Sequence, residues 1–239
     1  MPAAASARRD ALELLLRARQ LDGTLTSNRL TAPDGTLAPL GVAAVDGALG
    51  GGLARGHLSE IVGPRSSGRT TLLHAALAAA AARDEVVALV DTLDMFDVVS
   101  ADRAGVGIDR LLWVRGTAIS ALPGPLLDRA IDRAIKAFNL ILQAGGFGLV
   151  VLDLADVPLA AIRRLPFTTW LRLQRVLEGR DTVALLVAND SVARSTRGVT
   201  LRVSTSMTSA APSRWPAPPF VVNTTVVRAV GSNSDQGKG

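Results

Sequence analysis

Five short apolar runs punctuate the middle of the chain: Leu58–Val62, Val86–Val90, Leu111–Val114, Gly148–Leu152 and Val183–Ala188. None alternates apolar with polar residues, as a strand wetted on one face would. Continuous runs of this length predict strands of a parallel sheet covered on both faces. Helical patterns lie between them. Gly68–Ala82 consists almost wholly of Thr, Leu and Ala, Leu126–Leu142 is a long helix, and Phe167–Leu177 is another. Strands alternating with helices predict an α/β domain: a mainly parallel sheet with helices on both faces. After Ala188 the pattern changes. Val199–Ser204 and Phe220–Val230 alternate or run β-branched on either side of a Ser/Pro-rich stretch, Pro212–Pro219, and predict late antiparallel strands joined by a loop.

The flanks read differently. Residues 9–21 predict an amphipathic helix, with Leu12, Leu15, Leu16 and Leu21 on roughly one face, that either caps the domain or docks on a neighbour. Residues 22–40, rich in Thr, Gly, Asp and Pro, read as a linker. The resulting organisation is a helix and linker over 1–40, a core domain over 41–230 and a polar, disordered tail over 231–239.

Composition narrows the chemistry. A length of 239 residues fits one α/β domain with short flanks. With 48% hydrophobic but only 3% aromatic residues, the core must be filled by aliphatic side chains. The absence of cysteine excludes disulfides, thiolate metal sites and a cysteine nucleophile. No segment carries the 18 or so uninterrupted apolar residues of a membrane span, and Arg8, Arg9 and Asp10 break the Ala-rich N-terminus, so neither a signal peptide nor a membrane partner is expected. The expected location is the cytoplasm. His57 and His74 are isolated and predict no metal site, and no serine sits in a nucleophile-elbow context. The net charge of +5 rests on arginine, the only lysines being Lys136 and Lys238. Scattered arginines on a solvated surface account for it, although a DNA contact is compatible. The densest groups are Arg163, Arg164, Arg172, Arg175 and Arg180 around Trp170, a candidate DNA or partner surface, and more weakly Arg194, Arg197 and Arg202. Trp215 and Phe220, beside prolines, form another candidate partner site.

The most informative segment is Gly63-Pro64-Arg65-Ser66-Ser67-Gly68-Arg69-Thr70-Thr71. It follows an apolar strand and opens an Ala/Leu helix, the context of a phosphate-binding loop. The two glycines let backbone N–H groups turn around an anion, the helix N-terminus adds its dipole, and the Thr70 hydroxyl is placed for magnesium. Arg69 stands where that pattern has lysine. Arginine keeps the charge but is broader and planar, so the exchange is not conservative in a tight loop. Downstream, Gly148–Asp153 is an apolar run ending in an acid, which makes Asp153 the second magnesium-side candidate. Thr70 and Asp153 are therefore the metal candidates, and residues 63–71 with Asp153 the nucleotide candidates.

Around this loop the chain resembles the RecA family. Gly41 to Leu53, with Asp46 followed by Leu49-Gly50-Gly51-Gly52, leads to Gly56–Pro64 and into the loop as it does in that family. Ser66-Ser67-Gly68 and Thr70-Thr71 match as well, as does the stretch from Val90-Asp91 to Asp97 and on to Leu112; the likeness spans roughly residues 41–190. It implies a RecA-like fold, an ATP and magnesium ligand, and Asp97 as an adenine contact. It also implies departures. The glutamate expected to polarise the attacking water falls at Leu93, which cannot accept a proton. The neighbouring Asp94 is offset by one residue. The tyrosine expected near adenine falls at Ser100. The DNA-facing loops after Asp153 and after Asn189-Asp190 are short, and no RecA-type C-terminal domain is expected. A RecA-like chain of this length with a degraded phosphate loop is similar to the ImuA family of a bacterial DNA-damage-inducible mutagenesis cassette. That likeness implies a non-catalytic or weakly nucleotide-responsive adaptor in translesion synthesis. Its implied partners are an ImuB-like inactive relative of Y-family polymerases, an error-prone DnaE-type polymerase and RecA, with DNA a weaker candidate. The alternative reading is a working DNA-dependent RecA-like ATPase, and a bare domain that folds only with a partner is a third.

Overall fold

The computed structural model describes residues 37–118, 124–193, 198–207 and 220–228. Strand β1 (Leu37–Ala38) pairs antiparallel with β2 (Leu53–Ala54), and helix α1 (Ala43–Leu49) lies between them in sequence. There follow β3 (Leu58–Val62), α2 (Arg69–Ala82), β4 (Val87–Asp91), α3 (Val98–Arg103), β5 (Leu111–Arg115), α4 (Gly124–Ala144), β6 (Leu149–Asp153), α5 (Leu159–Arg163), α6 (Phe167–Leu177), β7 (Val183–Ala188), β8 (Val199–Met207) and β9 (Phe220–Arg228). Seven strands form one sheet in the order β5-β4-β6-β7-β3-β8-β9. Every neighbouring pair is parallel except β8 with β9.

The continuous apolar runs are explained by two cores, one on each face. Ile61, Leu89, Val151 and Leu185 point into a cluster with Leu72, Leu73 and Leu77 of α2. Leu58, Val90, Val150, Leu152 and Leu186 point into a second, with Ile131 and Phe138 of α4 and Trp170 and Leu173 of α6. Helix α4 buries Ile131, Ala134, Ile135, Phe138, Ile141 and Leu142, which recur every three or four residues and so share one face.

Two features add to the sequence reading. β8 is the antiparallel partner of β9, as expected, but it also lies parallel to β3, with Glu60 opposite Thr200 and Val62 opposite Arg202. Its alternation arises because Leu201 and Val203 are buried while Arg202 and Ser204 are exposed. The second feature is that buried residues precede Gly41. Ala38 and Leu40 are buried, and the Asp46 carboxylate accepts the Leu40 N–H at 2.7 Å and the Gly41 N–H at 3.0 Å. The approach of β1 explains the glycine run: at Gly52, with φ +139°, a Cβ would lie 2.3 Å from the Ala38 carbonyl oxygen. The expected N-terminal helix, most of the linker, Trp215 and the tail from Gly231 lie outside the described residues. Among the described residues, no helix is long and apolar enough to cross a membrane.

Candidate functional site

The segment between β3 and α2 closes into a compact loop. Gly63 donates its N–H to the Ala188 carbonyl at 3.3 Å, and Ser67 donates to the Pro64 carbonyl at 3.3 Å. Gly63 must be glycine here, because a Cβ would lie 2.3 Å from the Val203 carbonyl oxygen of the adjoining β8. The chain then turns through Ser66 at φ +61° and Gly68 at φ +96°. Gly68 caps α2 without any side-chain hydrogen bond, so the first amides of the helix face outward with their dipole uncompensated. Pro64, Arg65, Ser66, Thr70 and Thr71 are exposed, whereas the Ser67 hydroxyl is buried without a partner. An inward-turned loop, unpaired helix amides and an orphaned hydroxyl form a cradle for an oxyanion.

Arg69 behaves unlike a free phosphate-binding cation. Its side chain is buried, and one guanidinium nitrogen donates to Asn189 Oδ1 at 2.8 Å and to the Ala155 carbonyl at 3.2 Å. Arg69 thus bridges the turns that follow β6 and β7. Burial depresses its pKa, Asp153 and Asp156 act in the opposite direction, and Arg65 adds to the depression. Asp153 ends β6 beside Asp91 of β4 and accepts the Ala155 N–H at 2.8 Å. Burial pushes its carboxyl up to about 6; Asp91 and Asp156 reinforce the rise, while the Ala155 N–H and Arg69 oppose it. Arg69, which follows the loop, and Asp153 thus feel each other's charge.

The positions that would carry the reaction are arranged otherwise. Leu93 packs against the apolar cluster of α4 and α6. Asp94, at φ +58°, receives both arms of the Arg115 guanidinium at 2.7 and 2.8 Å, which holds its carboxyl below the usual range. It is thus committed to a salt bridge. Asp97 caps α3, accepting the Val99 N–H at 3.1 Å and the Ser100 hydroxyl. The residue expected at adenine and the one standing where tyrosine was expected are bonded to each other.

Three acidic residues were not singled out from sequence. Asp91 accepts the N–H groups of Met95 and Phe96 at 3.0 and 2.8 Å and the Trp113 indole at 3.3 Å, fixing the turn after β4. Glu60, buried in β3, accepts from the Ser191 hydroxyl, the Val192 and Ala193 N–H groups (both 2.9 Å) and the Thr200 hydroxyl (3.0 Å). A carboxylate between Leu58 and Ile61-Val62 of a buried strand was the available signal, since such charges stay buried only when well bonded. Asp190 joins Arg163 of α5 at 3.3 Å to Arg202 of β8 at 3.2 Å. Within the basic surface, Arg164 pairs with Asp128, Arg172 and Arg175 are exposed on α6, and Trp170 is buried beneath them. Arg194 and Arg197 lie outside the described residues.

A glycine-bounded loop between a buried parallel strand and a helix, with an acid ending another strand of the same sheet, defines a phosphate-loop α/β domain. The chain belongs to the RecA N-terminal domain family, whose model matches residues 29–160. It is 49% identical over 127 residues to Protein RecA of Chloroflexus aurantiacus, a match covering 52% of this chain and 33% of that protein. It is 36% identical over 116 residues to Protein RecA of Methylococcus capsulatus, covering 48% of this chain and 30% of that protein. Protein RecA of Streptomyces ambofaciens matches at 38% identity over 127 residues, 52% of this chain and 31% of that protein. The chain thus spans about a third of the length of the curated relatives it matches.

Proposed function

We propose that this chain is a RecA-like adaptor in DNA-damage-induced translesion synthesis, one that binds a polymerase-like partner and does not turn over ATP at a useful rate. The observation that carries this reading is Arg69, whose guanidinium is bonded to Asn189 and Ala155 inside the protein. In that arrangement the cation links two turns of the sheet and is not offered to a phosphate. Leu93 in an apolar cluster and Asp94 in a salt bridge support it further, since neither can take a proton from water. The ImuA likeness supplies the partner classes: an ImuB-like inactive polymerase relative, an error-prone DnaE-type polymerase and RecA itself.

The cradle still fits a nucleotide. Its loop amides, the Ser67 and Thr70 hydroxyls and Asp153 are the groups that would hold a nucleoside triphosphate and magnesium. The ion, when bound, would draw charge from the phosphates. Arg69 would also have to leave its bonds to Asn189 and Ala155, and Asp153, pushed up to about 6 by burial, would have to be held ionised. We therefore assign the site to weak binding, as a switch or a relic. The orphaned Ser67 hydroxyl is what favours the second reading, a DNA-dependent RecA-like ATPase. Equilibrium binding of a fluorescent ATP analogue with magnesium, with Arg69→Ala as control, tests the assignment. Weak saturable binding or none is expected. Tight binding accompanied by turnover would overturn it.

A further inference from the structure

Helix α6 exposes an apolar stripe that the fold does not use. Phe167 is 50% and Leu171 38% exposed, and Arg175 continues the same face four residues on. Phe167 lines a cleft of about 370 Å³ together with Ile162, Leu165, Trp170 and Val192 and the polar Arg163 and Ser191. A half-exposed phenylalanine beside a cleft with a tryptophan in its wall, flanked by arginines, is the composition found at the energetic centre of protein interfaces.

Charge selects the occupant. Arg163 and Arg164, on one rim, are already matched by Asp190 and Asp128. On α6, Arg172 and Arg175 are exposed and take part in no ion pair among the described residues, with Glu178 the nearest acid along the helix. Two guanidinium forks beside an apolar stripe complement one or two carboxylates next to an apolar anchor. A phosphate backbone would meet the same arginines. It offers no apolar side chain to place against Phe167 and Leu171, whereas a peptide can carry both an apolar anchor and carboxylates.

We propose that the α5–α6 face is a docking site for a short acidic peptide segment of a partner, an aromatic or leucine side chain entering the cleft while its flanking carboxylates bind Arg172 and Arg175. This deepens the adaptor reading and rests on it.

The test is selection of a displayed library of random short peptides on the full chain, with counter-selection on Phe167→Ala/Arg175→Glu. Both side chains are exposed, so the variant should melt like the wild type; Leu171→Asp provides an independent second variant. The expected binders are rich in Asp and Glu around one aromatic or leucine and weaken about tenfold or more, at least 1.4 kcal/mol, on either variant. Binders that are basic, or that bind the variants equally well, would overturn the proposal. So would the absence of any variant-sensitive binder. An oligothymidylate that binds the wild type, loses binding on the variants and displaces the peptides would instead make the face a nucleic-acid surface. Repeating the measurement with ATP and magnesium separates the two readings. Peptide binding by a protein that also turns over ATP well above background would keep the docking site but remove the non-hydrolysing adaptor, whereas no peptide binding in either condition would remove the docking site alone.

Discussion

Replacing Arg69 with methionine keeps most of the buried stem and removes the guanidinium. Two hydrogen bonds from a charged donor are lost, to Asn189 Oδ1 at 2.8 Å and to the Ala155 carbonyl at 3.2 Å. Bonds to charged groups contribute about 1.5–3 kcal/mol each, less for the longer one. Two effects offset the loss. The cation is desolvated by burial, and it sits in the first turn of α2, where a positive charge opposes the helix dipole by about 0.3–1 kcal/mol. The net expectation is a destabilisation of about 1–3 kcal/mol. Stability alone would not identify the cause, so the assay is a double-mutant cycle with Asn189→Ala. Urea unfolding can be followed by the fluorescence of the tryptophans, of which Trp113 and Trp170 lie in the core region. Groups in direct contact should couple by about 0.5–3 kcal/mol. Coupling near zero, or an Arg69→Met protein as stable as the wild type, would refute the claim that Arg69 bridges the sheet from within.

Other consequences follow from the same geometry. The Asp153 carboxyl, raised to about 6 from an unfolded value near 3.9, is protonated in the folded state where the unfolded state has already lost its proton. Its contribution to stability is thus present below about pH 4 and is lost as pH rises through about 6, by about 3 kcal/mol at most; Asp153→Asn should remove that slope and raise the neutral-pH melting temperature, and an unchanged pH profile would contradict it. Glu60→Gln replaces an acceptor facing four donors with a group that is itself half donor, which should cost about 2–4 kcal/mol and loosen residues 191–193; hydrogen exchange at Val192 and Ala193 no faster than in the wild type would count against it. Gly63→Ala puts a Cβ 2.3 Å from the Val203 carbonyl oxygen, so β8 must shift and a loss of at least about 1–3 kcal/mol is expected in a thermal melt, whereas a melt like that of the wild type would show that the strand gives way freely.

How much of this was legible in the sequence depended on the range of the interaction. β7 and α6 coincide with their expected bounds, because each is uniform in pattern and ends in polar or glycine residues. The sequence reading closed β4 at Val90, since Asp91 looks like a polar stop. Its carboxylate is in fact buried against donors from residues 95, 96 and 113, so the strand continues through it. The short helices α1 and α3 had no periodicity long enough to announce them. The turn between β3 and α2 was readable because its requirements are local: glycines where φ is positive or the backbone approaches closely. The fate of Arg69 was not, because its partners Ala155 and Asn189 lie 86 and 120 residues away. The same holds for Glu60, which contacts residues 131 to 140 positions distant. An odd residue in a motif can be seen in sequence, but only the fold says what it does instead.

The most direct test of the central claim is steady-state ATP hydrolysis by the purified full chain with magnesium, with and without single-stranded DNA, beside the variant Arg69→Lys/Leu93→Glu. With Arg69 bonded into the sheet and no carboxylate at position 93, the expected result is turnover at the no-protein rate, unchanged by DNA. A DNA-stimulated rate clearly above that background in the natural protein would contradict the account and make this chain a working ATPase.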